Sequence, residues 1–141
     1  LLAGGERPTG MNAGHFLAPT VLAGVTETMA VYREETFGPI VSIVPFDDNT
    51  DLLRMANDCE EGGLTAYVFT RDLARAEHFS AHLRYGEIQI NGVKYDIDLP
   101  HGGIGQSGVG HDCSALALHD YLVQKRITRA LDTTTFGGLN P

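Results

Sequence analysis

The stretch His101–Gly110, HGGIGQSGVG, contains Gly103-Ile104-Gly105-Gln106-Ser107-Gly108, a G-x-G-x-x-G spacing. Glycines so spaced can bring backbone N–H groups onto a pyrophosphate, provided the loop leaves a buried strand and opens a helix toward the anion. The segment before it, KYDIDLPH, makes a poor buried strand because it carries Asp96, Asp98 and Pro100. Asp132 lies near the spacing of a ribose-binding acid, but it falls in a Thr-rich tail and no second βαβ half follows it. Gly105-Gln106-Ser107-Gly108-Val109 lacks the closing glycine of a G-x-S-x-G nucleophile elbow. His101, His111 and Cys113 match no zinc spacing, and only His119 stands near as a further ligand, so no metal is expected. A loop passing close to other backbone needs residues without Cβ, which is reason enough for these glycines.

The two cysteines are weak nucleophile candidates. Cys59 sits between Asp58 and Glu60, which disfavour a thiolate. Cys113 falls in the first turn of an expected helix, where a thiolate is favoured, but Asp112 beside it works the other way.

The elements that must position these groups follow an α/β order. PIVSIVPF (39–46) is a β-branched strand, and the helix after it, capped by Asp48 or Asn49, carries Leu52, Leu53, Met55 and Ala56. LTAYVFT (64–70) is a second strand. The next helix has Asp72 as N-cap and an apolar stripe at Leu73, Ala76, Phe79 or Ser80, and Leu83. EIQIN (87–91) is a third strand. This parallel β-α-β-α-β series is followed by an irregular stretch to Gly110 and a helical HDCSALALHDYL. VQKRITRAL alternates, with Val123, Ile127 and Leu131 on one face, and reads as an edge or interface strand.

The chain has 141 residues, 43% hydrophobic and 20% charged, which suits one globular domain. A net charge of −8 argues against nucleic acid and anionic membrane surfaces as partners. No apolar run is long enough to span a bilayer. Two cysteines without C-x-x-C suggest a reducing, cytoplasmic setting. The start at Leu1 without a basic leader segment reads as a piece cut from something longer.

Taken in order, REETFGPIVSIVPFDD, LLRMANDCEEGGLTAYVFTRDLARA, YGEIQIN, LPHGGIGQSGVG and LALHDYLVQKRITRAL resemble the C-terminal part of an NAD(P)-dependent aldehyde dehydrogenase. EETFGPI is the most specific piece. The resemblance implies residues 1–121 as part of the catalytic domain, 122–132 as an oligomerisation strand and 133–141 as a tail. It implies a homo-oligomer, and a nucleophilic cysteine, general-base glutamate and Rossmann half lying upstream, so that no catalytic residue falls in this chain. It implies NAD or NADP as cofactor, with Glu35 accepting from the nicotinamide ribose hydroxyls and Phe37 packed flat against the nicotinamide. Without the resemblance, Glu35 would be read as a local cap or ion-pair partner and Phe37 as core.

Three positions depart from the family pattern. His101 stands where the family usually has Phe, a wall of the aldehyde pocket, as in the family's lactaldehyde dehydrogenases. An imidazole can donate to a hydroxyl, carboxylate or sulfonate, so a small polar or anionic aldehyde is expected. Gln106 removes a surface charge, and CEEGGL carries one extra residue at a helix end. The alternative reading is a non-catalytic oligomerisation module that pairs through 122–132. Such a chain, cut from its upstream strands, is expected to expose a sheet edge and an apolar face, and so to self-associate.

Overall fold

β-Branched and apolar residues supply four short strands that alternate with helices, as the sequence pattern requires. The computed structural model describes residues 1–47, 49–58 and 62–129. In order, the elements are β1 (Thr20–Ala23), α1 (Ala30–Arg33), β2 (Ile40–Ile43), α2 (Asn49–Asn57), β3 (Thr65–Val68), α3 (Leu73–His82) and β4 (Glu87–Ile90). The α/β class and the parallel strand direction are as expected. The pairing differs in detail. β1 pairs only with β2, with Thr20 opposite Ile40, and β3 only with β4, with Thr65 opposite Glu87. The strand expected at 39–46 is shorter, and it pairs backward with Thr20–Ala23 rather than forward with β3. Each pair is thus one right-sized crossover, through α1 or α3, and α2 carries the chain from one pair to the other.

α2 also ties the pairs together. The last carbonyls of a helix have no partner within it. Here Tyr32 Oη donates to the Met55 carbonyl at 3.0 Å and Tyr85 Oη to the Ala56 carbonyl at 2.8 Å. Asn57 then donates to the His82 carbonyl at 3.0 Å and accepts from the Arg84 N–H at 2.8 Å, which closes the end of α3. An exposed ion pair, Arg54 to Glu27 at 2.7 Å, adds a contact of smaller worth.

α3 begins as its sequence indicates, with the Asp72 side chain accepting from the Arg75 N–H at 3.1 Å. Ala76 and Phe79 are buried. Leu73, expected on the same stripe, is instead 75% exposed, because it opens the helix at a point where no other element covers it. Beyond β4, Asn91 turns the chain at φ 53°, a conformation its short amide tolerates. Its side chain accepts from the Thr70 N–H at 2.8 Å and donates to the Thr70 carbonyl at 2.7 Å, so it acts as one more rung between the strands.

The glycine loop is seated by close backbone approach. The Gly63 carbonyl accepts from the N–H groups of both Gly86 (2.9 Å) and Ile104 (3.2 Å). A Cβ on Gly86 would collide with the Gly102 carbonyl oxygen, and one on Gly63 would lie 2.8 Å from the Ile104 carbonyl oxygen.

The C-terminal helix is a 3-10 helix, Ala115–Tyr121, with Ser114 Oγ accepting from the Leu116 N–H at 3.2 Å. Cys113 therefore precedes the helix rather than standing in its first turn. Residues 122–129 form no ladder with any of the described residues, and Val123 and Ile127 are exposed. A strand there needs a neighbour from outside these residues. Residues 130–132, the tail 133–141, Asp48 and Cys59 lie outside the described residues. Val41, Ile43, Phe46 and Phe69 are exposed large apolar residues on and beside the strands.

Gly86→Ala should destabilise the chain by roughly 1–3 kcal/mol through overpacking. Gly38→Ala, at a position with nothing within 4 Å of the added methyl, should be neutral. Chemical denaturation of both variants checks this, and equal stabilities would contradict the close approach.

Candidate functional site

Glu35 and Phe37 lie on the irregular segment between α1 and β2. That segment is shaped by two successive tight turns, in which the Gly38 N–H donates to the Thr36 carbonyl and the Ile40 N–H to the Gly38 carbonyl, each at 2.8 Å. An i-to-i+2 bond around a residue of negative φ is an inverse γ-turn. Phe37 stands at the centre of the first and Pro39, with its fixed φ, at the centre of the second. The ring is displayed rather than packed, since Phe37 is 96% exposed. Among the described residues it belongs to no core. Glu35 is exposed on the same segment.

His101 belongs to the other strand pair. Its backbone bridges Asp112 in antiparallel fashion, donating at 2.8 Å and accepting at 2.7 Å, which closes the glycine loop at its base. Its Nδ1 lies 3.2 Å from Glu87 Oε2. The same carboxylate takes hydrogen bonds from Thr65 Oγ1 at 3.2 Å and Gln89 Nε2 at 2.7 Å. Partial burial pushes the Glu87 carboxyl up, but the bonds from Gln89, His101 and Thr65 outweigh this and hold it below the ordinary carboxylate value. The Tyr95 ring meets the His101 ring edge-on at 5.6 Å. Tyr95 Oη lies 2.7 Å from Cys113 Sγ, and this contact pushes the phenol above its ordinary value. A cavity of about 430 Å³ runs along this network, lined by Glu87, Gln89, Lys94, Tyr95, Asp96 and His101.

The structure therefore separates the sequence-derived residues into two places, Glu35 with Phe37 before β2 and His101 over β4. The partners of His101 were not singled out from the sequence. Glu87 and Gln89 alternate with Ile88 and Ile90 in EIQIN, so one face of an otherwise apolar strand is polar. That pattern was the available signal. The G-x-G-x-x-G run contains only a single 3-10 turn, Gly105–Ser107. No strand leads into it and no α-helix opens from it, so it offers no phosphate cradle. Among the described residues no group of three His, Cys, Asp or Glu could hold a metal ion. Among them, too, no helix is long and apolar enough to cross a membrane. Cys113 and Ser114 both have positive φ, 63° and 54°, an unusual pair of non-glycine residues beside this network.

Residues 1–127 match the model of the aldehyde dehydrogenase family. The betaine aldehyde dehydrogenase of Mesorhizobium japonicum is 44% identical over 130 residues, covering 90% of this chain and 26% of that protein. The peroxisomal aminoaldehyde dehydrogenase 1 of Pisum sativum is 35% identical, covering 100% of this chain and 28% of its own length. The crystal structure of Mycobacterium tuberculosis aldehyde dehydrogenase complexed with NAD+ superposes with a TM-score of 0.77 at 35% identity, over 85% of this chain and 25% of that one. The chain thus spans about a quarter of the length of the curated relatives it matches.

The depressed Glu87 carboxyl gives a signed pH dependence. Its stabilisation is fully present above the unfolded-state value, about 4.3, and is lost as pH falls through the lower folded value. The stability difference between the wild type and Glu87→Gln should hold from neutral pH to that point and then close. A difference persisting in strong acid would contradict the assignment. Cys113→Ala should lower the Tyr95 titration toward an ordinary phenol, as read from its ring carbon resonance.

Proposed function

Since this chain belongs to the aldehyde dehydrogenase family, we propose that it serves the NAD(P)-dependent oxidation of a small polar aldehyde to its carboxylic acid. In this reading Glu35 and Phe37 hold the cofactor and His101 forms a wall of the aldehyde site. The observation that carries it is the display of Phe37, a large apolar ring 96% exposed at the centre of a tight turn. A ring held out in this way gains nothing in the free chain and suits a flat aromatic ligand laid against it. The Glu35 carboxylate, two residues away, offers two acceptor oxygens to a vicinal diol such as a ribose. These residues fit a nicotinamide riboside. When bound, that group supplies the hydride acceptor. The residues of this chain position it, and fixed ring placement is what an in-line transfer needs.

A polar pocket wall at His101 agrees with the aminoaldehyde that the name of the Pisum sativum relative denotes. The free thiol of Cys113 fits a reducing, cytoplasmic setting. A homo-oligomer built through 122–132 is supported by the exposure of Val123 (96%) and Ile127 (79%). A chain acting as an oligomerisation module alone would use the same segment.

Glu35→Gln should raise the cofactor Kd roughly tenfold or more, the worth of charged hydrogen bonds. Phe37→Ala should weaken cofactor binding while leaving the melting temperature unchanged, because the ring packs on nothing in the free chain. Titration of an enzyme of the family's full length that carries these residues with NAD and with NADP, followed by protein fluorescence or calorimetry, checks both. Unchanged affinities in both variants would remove the cofactor role.

A further inference from the structure

The hydrogen bonds around Glu87 fix more than its charge. An ionised carboxylate only accepts, so the 3.2 Å contact to His101 requires the proton on Nδ1. The other partners of Glu87, Thr65 Oγ1 and Gln89 Nε2, approach it as donors as well. In a neutral imidazole with its proton on Nδ1, Nε2 carries a lone pair and accepts. Among the described residues His101 Nε2 has no hydrogen-bond partner. The charges lining the adjoining cavity point the same way. Lys94 is held by Asp96 at 3.1 Å, which leaves the Glu87 carboxylate as the unneutralised charge beside the imidazole.

From this geometry we propose that Glu87 is a positioning residue that sets the tautomer of His101, and that the aldehydes accepted here carry a hydrogen-bond donor, an ammonium or a hydroxyl, distal to the carbonyl. The proposal rests on His101 lining the aldehyde site, as argued above. It sets aside the anionic aldehydes that an imidazole could otherwise serve, since a carboxylate or sulfonate would meet a lone pair and a like charge. It also separates donation from positive charge. A quaternary ammonium brings the charge without an N–H and so gains nothing from Nε2.

The test has two arms, on an enzyme of the family's full length that carries these residues. In the first, long-range proton–nitrogen correlation spectra of the imidazole nitrogens, with His101 assigned by its loss in His101→Phe, should show Nδ1 protonated and Nε2 unprotonated. A protonated Nε2, in the other tautomer or in the cation, overturns the proposal. In the second, kcat/KM is compared for aldehydes of matched length ending in primary ammonium, hydroxyl, quaternary ammonium, methyl and carboxylate. Primary ammonium and hydroxyl should each exceed carboxylate by roughly tenfold or more, mainly through KM, and primary should exceed quaternary ammonium. Glu87→Gln should shrink these ratios, and His101→Phe should abolish them. If His101→Phe leaves every ratio unchanged, His101 is not a pocket wall, and the site reading fails together with the proposal. If His101→Phe shifts the ratios while Glu87→Gln moves neither the ratios nor the Nε2 resonance, the site reading stands and the proposal alone fails.

Discussion

Three stretches of backbone meet around Gly63, Gly86 and Gly102–Ile104, where a Cβ on Gly86 would strike the Gly102 carbonyl and one on Gly63 the Ile104 carbonyl. Most of the rest of the β3–β4 half follows from that contact. Gly63, with one carbonyl, takes the N–H groups of Gly86 and Ile104, so the start of β4 and the glycine loop are fixed against the same atom. The loop can then bring the imidazole of His101 within reach of Glu87, whose carboxylate is itself held by Thr65 on β3 and Gln89 on β4. Side chains do the chemistry of recognition, but their placement is decided by three residues that have none.

α2 provides the complementary restraint between the two strand pairs. Its last carbonyls would be orphans in an isolated helix. Two tyrosine hydroxyls, one from α1 and one from the segment before β4, satisfy them instead. The Asn57 amide fixes the end of α3 in the same neighbourhood. Polar bonds at a helix end thus join elements whose apolar core is small, with Val25, Ala76 and Phe79 its buried hydrophobic members among the described residues.

Local features were the legible part of the sequence. Asp72 capped the helix it was expected to cap, and the β-branched runs became strands, because caps and strands depend on near neighbours. Glu35 and Phe37 were singled out only through the resemblance of EETFGPI to a family pattern, since nothing local distinguishes Phe37 from a core residue. Contacts across the chain were harder to read. Nothing local assigns β2 to β1 rather than to β3. Nothing local pairs Glu87 with a histidine fourteen positions on, although the polar face of EIQIN marked the strand as unusual. Leu73 matched the helical period and still stands in solvent, since periodicity names a face without naming what covers it.

The two turns around Phe37 also govern the energetics of encounter. A ring on a floppy loop would lose backbone freedom on meeting a ligand, and that loss would subtract from affinity. Here the conformational entropy of the Thr36–Ile40 backbone is surrendered when the chain folds, through bonds internal to the segment. Association then has little further order to impose, which favours a site that meets its ligand as a preorganised surface and releases it without a local folding step.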